Sequence, residues 1–301
     1  SAPVASSALP ATDSARRSTT IADGLVKTGL SRAFVELLQG ERFLGNFDAL
    51  GTFQRDALTA ILSLIQTQRS ALFFTVTGTG KTTLARVAMN LAVARDSSAV
   101  ALMPTKALVS QERNIWHDWQ SVWSDLAEKR VTIYGASRDY PEADRPVSRG
   151  RFDIAIAIYE KLALYLITGH EPLASTAVLV VDELQILAEN SERSAKLEAL
   201  LTMIRLLPPD SRPAILGLSP TLRSESTRAL QKWLGVDETM VVQTNERPVP
   251  LDAYVISAVD RIKQMDAHLI GMEGRSAPPP LPVERHDLSE SLANYSKPLS
   301  D

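Results

Sequence analysis

ALFFTVTGTGKTTLARVAM, residues 71–89, carries the reading that decides the fold. An apolar run, Ala71 to Val76, reads as a strand. Thr77, Gly78, Thr79 and Gly80 form a turn, and Lys81-Thr82 open an amphipathic helix. Phosphate binding requires that order. Gly78 and Gly80 free the backbone to aim several N–H groups at an anion. The helix behind them adds its positive end. Lys81 supplies a mobile charge for β- and γ-phosphates, and the Thr82 hydroxyl completes the shell of a Mg²⁺ ion. Thr75 stands where the common G-x-x-x-x-G-K-[ST] pattern has its first glycine. The stretch therefore predicts a nucleoside triphosphate site.

VLVVDELQ, residues 178–185, supplies the other half of such a site. Its apolar run suits a strand buried on both faces, as in a parallel sheet. Asp182 at its end is placed to hold Mg²⁺, and Glu183 to take a proton from an attacking water. Together with the upstream cradle, the pair predicts an ATPase.

Around these two segments, strands and helices alternate. Strands are expected at 71–76, 98–103, 131–134, 153–158, 177–182 and 213–218, and helices at 81–95, 106–124, 159–167, 193–207 and 223–234. The alternation argues an α/β fold, a mostly parallel sheet with helices on both faces. Right-handed crossovers then bring the P-loop and Asp182-Glu183 to the carboxyl edge of the strands. Residues 1–20, rich in Ser, Ala and Thr, read as a disordered tail. Residues 21–256 form the main domain, and 257–301 an extension: a helix from Ala258 to Met272, then SAPPPLPVERHD as a stiff linker.

Composition bounds the partners. Among 301 residues, a net charge of −3 leaves no global basic footprint, so any nucleic-acid contact must come from a local surface. The absence of cysteine excludes a disulfide framework and thiolate metal sites. The four histidines lack metal-ligand spacing. No apolar run spans a membrane and no leader segment is legible, so a cytoplasmic setting without a membrane partner is expected. Trp116, Trp119 and Trp123 share one helical face and read as packing.

Seven segments in order resemble the first RecA-like lobe of superfamily-two helicases, most closely the Ski-type and DExH branch, over roughly residues 50–256. Phe53-Gln54-Arg55-Asp56-Ala57-Leu58 is similar to the family's upstream glutamine element, which implies that Gln54 recognises adenine. TVTGTGKTT, ending at Thr83, resembles motif I, whose A-x-T-G-x-G-K-T form lacks the first glycine. Pro104-Thr105-Lys106 opens a segment similar to motif Ia, and Tyr159-Glu160-Lys161 lies in one similar to T-Y-E-K-L. The resemblance implies that both touch a nucleic-acid backbone. Asp182-Glu183-Leu184-Gln185 matches motif II, and Ser219-Pro220-Thr221 resembles the S-A-T of motif III, which couples nucleotide state to strand movement. Arg247-Pro248-Val249-Pro250-Leu251 resembles the segment leading to a second lobe.

The resemblance thus implies ATP and Mg²⁺ as cofactors and single-stranded DNA or RNA as partner. A second RecA-like lobe is expected to complete the cleft, and no Q-x-x-G-R-x-G-R motif for it occurs in this chain. Gln185 replaces the usual His or Asp of motif II, Pro220 the Ala of S-A-T, and Ile158 the usual Thr. These departures keep a second reading open: a nucleotide-binding interaction module that does not translocate, with a protein partner on the Trp face or the Pro-rich tail.

Overall fold

The computed structural model describes residues 22–23, 25–27, 32, 35–36, 50–76, 78–121, 124, 130–189, 191–220 and 224–245, and the backbone of 254–258 and 265–269. Two units divide the chain, residues 1–248 and 249–301.

In the first unit the order is α1 (Thr52–Thr67), β1 (Ala71–Thr75), α2 (Lys81–Ala94), β2 (Ser98–Met103), α3 (Lys106–Asp118), β3 (Ile133–Ala136), α4 (Asp144–Ser148), β4 (Ile154–Ile158), α5 (Tyr159–Ile167), β5 (Thr176–Val181), α6 (Glu192–Leu206), β6 (Ala214–Ser219), α7 (Ser224–Leu234) and β7 (Val241–Thr244). The seven strands form one sheet in the order β3-β4-β2-β5-β6-β1-β7. Every pairing is parallel. The expected α/β fold is therefore the observed one. β7, whose Val241-Val242-Gln243-Thr244 is too short to stand out by period, extends the sheet beyond the strands legible in the sequence.

Burial explains why these runs are strands. All residues of β1, β2 and β6 are buried, as continuous apolar runs require when both faces are covered. The core centres on Phe73 and Phe74 of β1, with Leu72 beside them. α1 docks through Phe53, whose ring meets Phe73 edge-on at 6.1 Å, a geometry worth about 0.5–1.5 kcal/mol beyond burial. α2 and α3 are tied by Arg86, which makes a two-pronged bond to Glu112 (2.6 and 3.0 Å) and lies over the Trp119 ring. Trp116 is 1% exposed, so the tryptophan face is packing as expected; Trp123 lies outside the described residues. α3 runs to Asp118, where Trp119 caps it back onto Trp116 and His117, and Gln120, Ser121 and Ser124 are again helical, within the span expected to 124.

Residues 1–20 and the Pro-rich segment fall outside the described residues. The helix expected from Ala258 to Met272 is contradicted at its described residues, 258 and 265–269, which are strand. In its place β8 (Tyr254–Ala258) pairs antiparallel with β9 (Met265–Leu269), from Tyr254 opposite Leu269 to Ala258 opposite Met265. Met265, Ala267 and Leu269 alternate at period two, and Tyr254-Val255-Ile256 is β-branched and aromatic. Both patterns favour strand over helix.

One glycine fixes how the Asp182-Glu183 turn seats on the sheet. A Cβ on Gly217 of β6 would come within 2.7 Å of both Leu184 and Leu72. Each of those leucines is fully buried and has no free side to move to. Gly217→Ala is expected to lower unfolding free energy by about 1–3 kcal/mol through overpacking. In urea the midpoint should fall with the slope unchanged; an unshifted midpoint would show that Leu184 yields freely.

Candidate functional site

Parallel pairing sends the loops after β1, β2, β4, β5 and β6 to one edge, where both halves of the site form. After β1, Gly78 and Gly80 adopt φ of +87° and +88°, the left-handed conformations that turn the loop into an anion nest. Gly80 then caps the N-terminus of α2. Thr79 is buried and its hydroxyl donates to the Val76 carbonyl (3.1 Å), stiffening the loop. Lys81 donates to the carbonyls of Thr75 (2.7 Å) and Val76 (3.3 Å). Burial pulls its pKa below the ordinary lysine value, with Glu183 and Asp182 opposing that shift. Thr82 and Thr83 follow in the first turn of α2. Thr77 lies outside the described residues.

Gln54 reaches this loop from α1. Its Oε1 accepts from the Gly51 N–H (3.0 Å) and its Nε2 donates to the Thr79 carbonyl (3.3 Å). The amide expected to read adenine thus also ties the start of α1 to the phosphate loop.

At the end of β5 the main chain of Asp182 is held on both sides. Its N–H donates to the Leu102 carbonyl of β2 (3.1 Å), and its carbonyl accepts from the Tyr159 hydroxyl (2.7 Å). Oδ1 accepts from the Glu183 N–H (3.0 Å). Glu183 sits at φ 55°, a left-handed conformation that a non-glycine residue holds only against strain. Gln185 donates from Nε2 to the Glu183 carboxylate, while its Oε1 accepts from Ser219 of β6 (3.3 Å). Gln185 and Ser219 therefore link the ends of β5 and β6. Thr221 lies outside the described residues. The Pro220 carbonyl, 2.9 Å from the Ser219 hydroxyl, shares its single proton.

Burial pushes Asp182 up to about 6, with Glu183 adding and the Glu183 N–H and Lys81 pulling back. Burial likewise raises the Tyr159 hydroxyl, with Asp182 and Glu183 adding and Arg193 opposing. The residues fit Mg²⁺. Thr82 and Asp182 offer an all-oxygen donor set, and among the described residues no three His, Cys, Asp or Glu side chains cluster into a protein-only cage. Mg²⁺ characteristically takes one or two carboxylates and completes its shell with phosphates and water.

Beside this site, on the same edge, runs a groove of about 550 Å³. Pro104, Thr105, Lys106 and Ala107 line it from the end of β2, and Ile158 and Glu160 from the end of β4. Arg138, Arg193 and Lys196 complete it. Four cations face one carboxylate in a chain of net negative charge. Lys106 is half-exposed and pairs loosely with Asp139 at 3.1 Å. The Thr105 hydroxyl caps α3 by accepting from the Leu108 N–H. Two residues expected to touch a nucleic-acid backbone do not line the groove. Tyr159 is only 1% exposed. Lys161, with its side chain 13% exposed, is bound to Asp144 of α4 at 2.8 Å and contributes to packing rather than to the groove.

Arg138, Arg193 and Lys196 were not singled out by the sequence. For the last two a signal existed: they share a face, at i and i+3, in the first turns of the helix that leaves β5.

The family description "DEAD/DEAH box helicase" matches residues 52–230. Among curated relatives, the ATP-dependent DNA helicase Hel308 of Pyrococcus horikoshii is 31% identical over 199 residues, covering 66% of this chain and 25% of its own length. Hel308 of Caldivirga maquilingensis is 28% identical, covering 60% and 22%. Activating signal cointegrator 1 complex subunit 3 of Dictyostelium discoideum is 25% identical, covering 78% and 10%. The chain thus spans a quarter or less of the length of these relatives. Among solved structures, the yeast DEAD-box splicing factor Prp28 superposes with a TM-score of 0.57 at 16% identity, covering 74% of this chain and 52% of that one. That likeness shows the RecA-like fold.

The raised Asp182 carboxyl has a consequence for stability. A folded-state value near 6, above the ordinary 3.8, means the neutral form is favoured on folding. That contribution is complete below pH 3.8 and is lost as pH rises through 6, leaving the ionised group to cost roughly 3 kcal/mol at neutral pH. Asp182→Asn is expected to melt several degrees above the wild type at pH 7.5 and together with it near pH 4. Equal melting at both pH values, by calorimetry, would refute the assigned burial cost.

Proposed function

The chain belongs to the DEAD/DEAH box helicase family, and on that footing we propose that it is the ATP-binding lobe of a nucleic-acid-dependent ATPase. The observation that carries the reading is the shared edge: the phosphate loop, the Asp182-Glu183 turn and a cationic groove all open from the same strand ends.

In this reading Gly78, Gly80 and the start of α2 hold the phosphates, and Lys81 leaves the Thr75 and Val76 carbonyls to pair with them. Thr82 and Asp182 hold Mg²⁺, which when bound neutralises charge developing on the transferred phosphoryl group. Glu183 accepts the proton of the attacking water. Gln185 orients that carboxylate and is itself oriented by Ser219. Arg138, Arg193, Lys196 and Lys106 bind backbone phosphates of a single strand of DNA or RNA. A second RecA-like lobe supplies the arginine that such sites use on the γ-phosphate, worth on the order of 10³–10⁵ in rate.

The test is nucleotide binding and turnover with Mg²⁺, with and without oligo(dT) and oligo(U). Lys81→Ala should weaken ATP binding roughly 10–100-fold, as loss of a charge-assisted bond does. Glu183→Gln should keep binding but slow turnover by about 10²–10⁴-fold. ATP binding indifferent to Lys81 sinks the nucleotide assignment. ATP binding with no strand binding replaces the reading with that of an interaction module.

A separate expectation concerns the groove. Arg193→Ala with Lys196→Ala should flatten the salt dependence of oligo(dT) binding by about 1.4 in log–log slope, two contacts at about 0.7 each. An unchanged slope would place the strand elsewhere.

A further inference from the structure

We propose that Tyr159 is a positioning residue through which a strand lying in the cationic groove acts on Asp182. The inference rests on the reading above and adds to it a route within one lobe.

The route is drawn by two main-chain bonds. The Asp182 carbonyl accepts from the Tyr159 hydroxyl at 2.7 Å, and the Asp182 N–H donates to the Leu102 carbonyl at 3.1 Å. Both partners are buried directly behind residues that line the groove. Tyr159 lies between Ile158 and Glu160, which line it, and Leu102 stands two residues before Pro104, which lines it from the other side. A strand that draws the start of α5 toward its phosphates therefore pulls on the bond that holds the Asp182 main chain.

The side chain has little other freedom. Tyr159 is 1% exposed and opens α5 directly after β4, so its ring moves with the backbone that meets the strand. No side chain caps α5, because Ile158 stands at the capping position. That leaves the start of the helix to be settled by contacts outside it. At the far end of the route, Oδ1 of Asp182 is bonded to the Glu183 N–H, so a shift at Asp182 reaches the strained Glu183 turn as well.

The experiment measures coupling between two ligands. A fluorescent non-hydrolysable ATP analogue with Mg²⁺ is titrated into the full chain with and without saturating oligo(dT), and separately oligo(U). The ratio of the two dissociation constants is the coupling factor, which for linked sites runs about 5–150-fold. Tyr159→Phe removes one hydrogen bond and keeps the ring.

The wild type is expected to show coupling in that range. The variant should bind each ligand alone within about twofold of the wild type, with the coupling reduced to about twofold or less. Three results would overturn the proposal: full coupling in Tyr159→Phe, no coupling in a wild type that binds both ligands, or a variant that loses analogue binding even without a strand. The last would make Tyr159 a plain support of the ion site. A wild type that binds neither ligand removes the underlying reading instead, so the two failures are told apart.

Discussion

A parallel strand can meet its neighbour only after the chain has crossed the sheet and started again from the same side, and that requirement organises this molecule. Each crossover leaves from the carboxyl ends of the strands, so whatever follows β1, β2, β4, β5 and β6 accumulates along one edge. β1 is flanked by β6 and β7, and β2 by β4 and β5. The phosphate loop therefore opens next to Ser219, and the Asp182 turn next to the start of the groove. No long-range device is needed to assemble the site; the common direction of the strands does it.

What the sheet brings together, buried charge keeps under tension. Lys81, Asp182 and Glu183 interact electrostatically in a half-buried setting that disfavours the charged form of the first two. The main-chain bonds to Asp182 from β2 and α5, and the Ser219–Gln185–Glu183 chain from β6, hold the turn in a conformation it would not choose alone. Gln185 itself donates and accepts without titrating. The fold thus commits packing energy elsewhere, in β1, β2 and β6, to keep a strained and under-solvated corner in place.

Much of this was legible beforehand. The six expected strands and the main helices stand within a few residues of their places, because continuous apolar runs and 3.6-residue periods encode burial directly. The phosphate loop and Asp182-Glu183 were legible because their chemistry fixes spacing within a short segment. What escaped depends on contacts between distant segments. That Lys161 is consumed by Asp144, and Tyr159 by the Asp182 carbonyl, follows from how α4 and α5 pack, not from the residues around them. Arg138 shares no local pattern with the Arg193–Lys196 pair; the turn after β3 and the first turns of α6 deliver them to one groove. The paired strands 254–258 and 265–269 were missed because a helical period and a period of two compete in a short run, and strand pairing decided it.

The resting place of Lys81 ties the mouth of the phosphate loop to the strand that feeds it. Its ammonium donates to two strand-end carbonyls, those of Thr75 and Val76, and has a third proton and its charge left for an anion. Any movement that draws the lysine fully out of this seat also strips two carbonyls of their donor, so the loop and the end of β1 must adjust together.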